Sequence, residues 1–236
     1  MVFNIFFTIQ AGFKMPVPVE GILFLGIIPA LIVLYIFLKK YEGNYSDSGI
    51  FKTFMAGIFL GAISAIVRIR LNPAPLLIIF LVLFAFFEQL LKTIILNIGR
   101  LQLKKETTIY GFSIGLGFGT VFTPFLLIAA AASTDLTDLN LILIFIGSVG
   151  IILFQGATGA YIGYGIYQGK LMKYLFISII IQIPFNAVID LTRLISNRYF
   201  PYYQLSLFVF GAIVFSYVIT KIMPKILTKN DKNKTD

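Results

Sequence analysis

The sequence predicts an all-α fold, a polytopic membrane bundle of about seven transmembrane helices with its N-terminus outside the cell and its C-terminus in the cytoplasm. Of its 236 residues, 58% are hydrophobic and only 12% are charged, whereas a soluble domain is roughly a quarter charged. The mean hydropathy is +0.94, which leaves too little polar surface to cover a water-facing exterior. We therefore expect one structural unit, a multi-pass protein of the cell membrane.

A helix needs roughly 20 mostly apolar residues to cross a bilayer. Seven stretches meet this requirement, and together they define a transmembrane domain over 19–223. Residues 1–18 are predicted to be an interfacial segment, and residues 224–236 a polar, Lys-rich cytoplasmic tail. The predicted spans are 19–38, 50–67, 75–98, 108–132, 140–168, 172–190 and 203–223.

The distribution of basic residues predicts the orientation. With the C-terminus inside, the cytoplasmic segments carry 13 Lys and Arg and the outer segments carry five, as expected for a membrane protein. Arg68 and Arg70, at the outer end of the second span, are assigned to the outer side, where long side chains can extend to the membrane surface. This bias accounts for the net charge of +9 without nucleic acid, so the predicted environment is the lipid bilayer.

The chain contains no Cys and no His, which excludes several kinds of site. Disulfides, thiolate nucleophiles and cysteine metal sites require Cys. His is the commonest metal ligand and the commonest general base. We therefore expect no metal, no cofactor and no catalytic residue.

Polar side chains nevertheless occur at membrane depth in the third span, where each needs a partner or a function. Glu88 and Gln89 lie near the bilayer centre. Lys92 follows Glu88 by four residues on the same helix face, so we expect Glu88 to bond to Lys92 or to an amide of the fifth or sixth span. A purely internal ion pair and a functional role are both consistent with this pattern.

The fifth and sixth spans carry the remaining polar residues of a predicted central cluster. Gln155 lies in the middle of the fifth span, and Gln182, Asn186 and Asp190 follow one another at a spacing of four on one face of the sixth. Gln155 and Gln182 lie at similar depths, which predicts a hydrogen-bonded pair. Pro184 is expected to free backbone carbonyls to which these amides can bond.

Glycines at a spacing of four predict close helix contacts. The fourth span contains Gly111, Gly115 and Gly119, and the fifth contains Gly159 and Gly163. Such a series forms a groove that another helix can approach closely. The pattern favours a helix of the same chain, and a helix of a second protein is the alternative.

Four motifs in this order resemble those of the intramembrane metalloproteases of the PrsW and CAAX-prenyl-endopeptidase superfamily. Glu88-Gln89-x-x-Lys92 resembles the superfamily's Glu-Glu-x-x-Lys motif with the second Glu replaced. The stretch 115–118, GLGF, resembles its Gly-rich motif, although Phe122 stands where a Glu is expected.

The two later motifs of the superfamily each contain a His, and here Gln155 and Gln182 stand in those positions. Because zinc requires three or four N, S or O ligands and Gln is a poor one, the resemblance implies this fold without its metal site. Glu88 alone remains of the four positions. The similarity covers roughly 75–195.

Within that superfamily the sequence is most similar to the anterior-pharynx-defective family, the seven-span scaffold subunit of γ-secretase. That family has the same predicted topology and a GxxxGxxxG series in its fourth span, which Gly111, Gly115 and Gly119 match. The resemblance implies a non-catalytic scaffold that packs against a membrane-protein partner, such as a presenilin-like aspartyl protease.

Two other functions remain open at this point. An intramembrane metalloprotease with an atypical site requires a metal and a base that activates water. A transporter or lipid-binding membrane protein requires that the polar residues of the third, fifth and sixth spans line a cavity.

Overall fold

Helices form the regular structure of the protein. The computed structural model describes residues 19–70, 77–99, 101–124, 127, 138–191 and 199–227. Seven α-helices have described boundaries, and this part of the chain contains no strand. In chain order they are α1 (Val19–Leu38), α2 (Asp47–Arg70), α3 (Leu77–Leu96), α4 (Glu106–Thr120), α5 (Asp138–Tyr167), α6 (Leu171–Leu191) and α7 (Phe200–Tyr217).

Six of these helices, all except α4, are long and apolar enough to cross a membrane. The chain is therefore a multi-pass membrane protein by the length and composition of its helices. The first, second, third, fifth and sixth predicted spans agree with the observed helices to within three residues at each end. The predicted interfacial segment 1–18 lies outside the described residues.

The fourth predicted span, 108–132, is observed as the shorter helix α4, of 15 residues. Helix α4 ends at Thr120, and after a one-residue turn at Val121 the chain is helical again over 122–124. Pro124 in this second piece has no backbone N–H to donate to the Thr120 carbonyl, which favours a break between the two pieces. Much of the predicted span beyond that point lies outside the described residues.

Helix α4 lies at the centre of the bundle. All of its residues from Thr107 to Thr120 are buried, and α1, α2, α3 and α5 pack around it. Helix α5 is the second central helix and also contacts α6 and α7. The exposed large apolar side chains of the described helices lie on α1, α2, α3, α5, α6 and α7 and not on α4, which is the arrangement expected when these six helices face lipid around a central one.

The glycines of α4 make its contact with α5 close. A Cβ atom on Gly111 would overlap the Gly159 carbonyl, and one on Gly115 would overlap the Gln155 carbonyl. Gly119 packs on the backbone of Ile152 in the same way. From the other side, Gly159 meets Gly111 and Gly115, and Gly163 meets Thr107 and Thr108. Helix α5 of the same chain therefore fills the predicted glycine groove.

The C-terminal end of the bundle extends further than predicted. Helix α7 continues into a π-helical turn, Val218–Ile222, and a 3-10 turn, Met223–Ile226. Met223, Ile226 and Leu227 are buried against the bundle. Ile226 and Leu227 thus pack on the bundle within the segment 224–236 that the sequence analysis assigned to the tail, because their apolar side chains still find partners, and Lys225 between them and the helix is exposed. The remaining tail residues lie outside the described part.

Candidate functional site

Buried polar side chains from four helices meet in the interior of the bundle, and we call this group the polar cluster. Each of these side chains is at most 2% exposed. Every polar residue predicted at membrane depth belongs to it. Its members are Ser64 and Arg68 from α2, Glu88, Gln89 and Lys92 from α3, Gln155 and Thr158 from α5, and Gln182, Asn186 and Asp190 from α6.

Glu88 is the main acceptor of the polar cluster. Its Oε1 accepts a hydrogen bond from Ser64 Oγ at 3.0 Å. Its Oε2 accepts from Gln182 Nε2 at 2.7 Å and from Asn186 Nδ2 at 3.3 Å. The carboxylate thus connects α3 to both α2 and α6. Hydrogen bonds to a charged acceptor are stronger than those between neutral groups, so Glu88 contributes strongly to holding these three helices together.

Lys92 is oriented toward α5 rather than toward Glu88. Its Nζ donates to Gln155 Oε1 at 2.7 Å and to Thr158 Oγ1 at 2.8 Å. The Nζ also lies 5.3 Å from the centre of the Phe118 ring on α4. Of the two expected arrangements, Glu88 therefore adopts the one in which it bonds to amides of the sixth span, Gln182 and Asn186, and Lys92 bonds to neutral polar groups on α5 instead.

The amides of the polar cluster form a short chain of hydrogen bonds between α3 and α6. Gln89 Nε2 donates to Gln182 Oε1 at 2.5 Å, and Gln182 donates onward to Glu88 and to Asn186 Oδ1, the latter at 3.0 Å. The predicted Gln155–Gln182 pair does not form, because Lys92 takes the Gln155 oxygen. These amides also bond to side chains rather than to the carbonyls that Pro184 was expected to free.

Arg68 is the member of the polar cluster that the sequence placed wrongly. It was assigned to the outer membrane surface, yet its side chain is fully buried and forms an ion pair with Asp190, with 3.4 Å between Nη2 and Oδ2. Its Cζ lies 4.4 Å from the centre of the Phe84 ring and 5.9 Å from that of Phe122. The sequence did contain a hint of the burial of Arg68. Asp190 lies near the end of the sixth predicted span that is assigned to the outer side, no cation was assigned to it, and a carboxylate at membrane depth requires a partner.

The polar cluster is electrically balanced. Its cations are Arg68 and Lys92, and its anions are Glu88 and Asp190. A closed set of opposite charges, each with hydrogen-bonding partners, is the condition under which ionised groups are tolerated away from water. Within the same cluster Gln89 Oε1 and Gln155 Nε2 have no hydrogen-bond partner among the described residues.

The ligand set for a metal is not assembled in the described part of the chain. No three residues among Asp, Glu, Cys and His come together there in an arrangement that could hold a metal ion. The two positions where the resemblance expects His carry amides whose oxygens accept hydrogen bonds, Gln155 from Lys92 and Gln182 from Gln89. An ammonium beside Gln155 would also repel a metal cation.

The glycine contacts and the polar cluster are parts of one arrangement. The Gln155 carbonyl lies against Gly115, so the close approach of α4 and α5 fixes the height at which the Gln155 side chain meets Lys92. Any residue larger than Gly at 115 would push α5, and with it Gln155, away from α4 and so disturb the contact with Lys92.

Comparison with known proteins identified no relative: no family model, no curated protein and no solved structure matches this chain.

Proposed function

We propose that this chain is a non-catalytic scaffold subunit of a membrane complex, and that its polar cluster holds the bundle in shape. The observation that carries this proposal is the bonding of Glu88. Three donors from two other helices occupy this carboxylate. A base that activates water must instead direct an oxygen toward that water. Glu88 therefore acts as a structural acceptor.

Electrostatics support the same proposal over a metalloprotease with an atypical site. Lys92 bonds directly to Gln155, one of the positions where a metal ligand would be needed. A buried ammonium at that position opposes the binding of a divalent cation. The expected metal content of the purified protein is thus zero, and elemental analysis showing about one tightly bound zinc per chain would favour the protease instead.

The proposed topology has seven spans, with α4 counted as the fourth, an outer N-terminus and a cytoplasmic C-terminus. It is supported by the excess of Lys and Arg in the segments assigned to the cytoplasm. Helix α4 is short for a span, but it is enclosed by four other helices, so its ends need not reach lipid. Irregular backbone at membrane depth is tolerated where protein surrounds it.

The partner surface of such a scaffold lies on the outer helices. Because α5 fills the glycine groove, a partner has to contact side chains that point away from the bundle, such as those on α1 and α7. The motif resemblance favours a presenilin-like aspartyl protease as the partner class.

The scaffold function is tested by following the level of the partner protein. The partner is the membrane protein that co-purifies with this chain in mild detergent, and deleting the chain from its native cell should lower the amount of that protein. The double variant Glu88→Gln with Lys92→Met removes one charge of each sign. If that variant unfolds at the wild-type temperature, it should restore the partner's level. A folded double variant that leaves the partner's level low would overturn the scaffold proposal.

A further inference from the structure

A groove lies between α1 and α2, away from the polar cluster. Its volume is about 670 Å³, which falls within the range of roughly 300–1,000 Å³ found for small-molecule sites. Its floor is apolar, since Leu34, Leu38, Ile50 and Phe54 line it and are at least nine-tenths buried. Phe51 lines it as well but is largely exposed toward the surroundings of the bundle.

The mouth of this α1–α2 groove is charged. Lys39, Glu42 and Asp47 line it at the ends of the two helices, and all three are exposed. None of them forms an ion pair with another residue in the described part of the chain. Burial of the Tyr45 side chain raises its pKa, and the nearby carboxylates of Asp47 and Glu42 raise it further.

The mouth is also held in a fixed shape. The Tyr110 hydroxyl, on the buried helix α4, accepts a hydrogen bond from the Ser46 backbone N–H at 3.2 Å and bonds to Ser46 Oγ at 3.1 Å. Gly49 packs directly on the Tyr110 ring. Tyr41 is buried, and Gly43 supplies the positive φ of +82° that the turn requires. The backbone that carries Glu42 and Asp47 is therefore held in place before any ligand binds.

The groove has the dimensions and polarity of a phospholipid site. From Lys39 at the mouth to Leu31 at the far end, eight helical residues span roughly 12 Å. That distance leads from the polar surface of a bilayer well into its hydrocarbon core. An acyl chain matches the apolar floor, and a headgroup at the mouth meets one cation and two anions.

We propose that the α1–α2 groove binds one phospholipid whose headgroup carries a phosphate followed by a primary ammonium. Lys39 binds the phosphate, while Glu42 and Asp47 accept hydrogen bonds from the ammonium. A primary ammonium has three N–H donors for these carboxylates, whereas a trimethylated ammonium has none. A headgroup with only negative charge would be repelled by the two carboxylates. The site thus selects phosphatidylethanolamine over phosphatidylcholine and phosphatidylglycerol.

The selectivity is measured on the full chain in nanodiscs that contain equal amounts of these three lipids. After transfer to mild detergent, native mass spectrometry counts the lipids that stay bound. We expect one retained phosphatidylethanolamine per chain, enriched over the other two. Retention of the three lipids in equal amounts, or enrichment of phosphatidylglycerol, would overturn the proposal.

Two matched pairs of variants locate the site. Glu42→Gln should lower the enrichment by up to roughly fivefold, the effect of one exposed charge pair, whereas Glu106→Gln, at the start of α4, should leave it unchanged. Leu31→Trp should block the groove and remove the retained lipid, whereas Ile32→Trp, on an exposed position outside the groove, should not. Equal loss in both members of either pair would contradict this location.

Discussion

Arg68 and Asp190 form a fully buried ion pair that joins α2 to α6, two helices far apart in the sequence. The two side chains approach to 3.4 Å, and the guanidinium also lies over the Phe84 ring. Removing one partner of such a pair leaves the other charge without compensation, away from water. The loss of stability when one partner is replaced therefore measures how strongly the interior charges support the fold.

Replacing Asp190 with Asn should lower the free energy of unfolding by roughly 3–5 kcal/mol, because Arg68 then stays charged and buried. Thermal unfolding of the purified protein in detergent measures the change. Asp138→Asn, at an exposed position in the first turn of α5, is the matched control and should shift stability by no more than about 1 kcal/mol. Equal effects of the two substitutions would mean that the buried pair contributes nothing specific.

Glu88 and Lys92 should behave as a coupled pair although they do not touch. Glu88→Gln alone leaves the buried cations in excess, and Lys92→Met alone leaves the anions in excess, so each should destabilise the protein by roughly 3 kcal/mol. The double variant restores charge balance and should cost less than the sum of the two single changes. A double-mutant cycle on unfolding free energies measures the coupling, and strict additivity would count against a shared electrostatic balance.

Gly115→Ala should be strongly destabilising, because the added methyl group overlaps the Gln155 carbonyl across the α4–α5 contact. Overpacking of this kind costs about 1–3 kcal/mol, and here it involves rigid backbone. Gly99→Ala is the matched control, since a Cβ there meets no atom within 4 Å. If Gly115→Ala leaves the melting temperature of the purified protein unchanged, the two helices cannot be packed as closely as described.

The absence of Cys allows a direct test of topology, because any single introduced thiol is unique. With the C-terminus in the cytoplasm, a membrane-impermeant maleimide added to intact cells should label Tyr202→Cys, near the outer end of α7. It should label Lys104→Cys, in the loop before α4, only after the membrane is opened. Both positions are exposed. The opposite labelling pattern would invert the proposed orientation.

The helices of this protein were predictable because a run of apolar residues and its flanking charges are local properties of the sequence. The predicted first span, 19–38, matches α1 at both ends. Helix α4 was the exception, since it is interrupted after Thr120 and its glycines place it in the interior as a short central helix. Its extent depends on what surrounds it, which a local pattern does not contain.

The membership of the polar cluster was largely predictable, but its pairing was predictable only in part. Periodicity identified Gln182, Asn186 and Asp190 as one face, and Gln182 does donate to Asn186. The partner of each charge depends instead on the rotation of neighbouring helices. A small rotation decides whether Lys92 meets Glu88 or Gln155, and only the assembled bundle fixes it. Arg68 was missed for the same reason, because a cation at the end of a span can point outward or inward.

The interior charges are balanced only in the finished chain, which has a consequence for the chain during its synthesis. Helices α2 and α3 emerge early and bring Arg68, Glu88 and Lys92, while the residues of α6 that complete the cluster emerge about 100 positions later. A lone central charge costs roughly 2.5–3.5 kcal/mol on membrane-insertion scales. A nascent chain that stalls before α6 therefore displays unmatched charges to lipid. An incomplete chain of this kind therefore differs from a finished one in the charge that it exposes within the membrane.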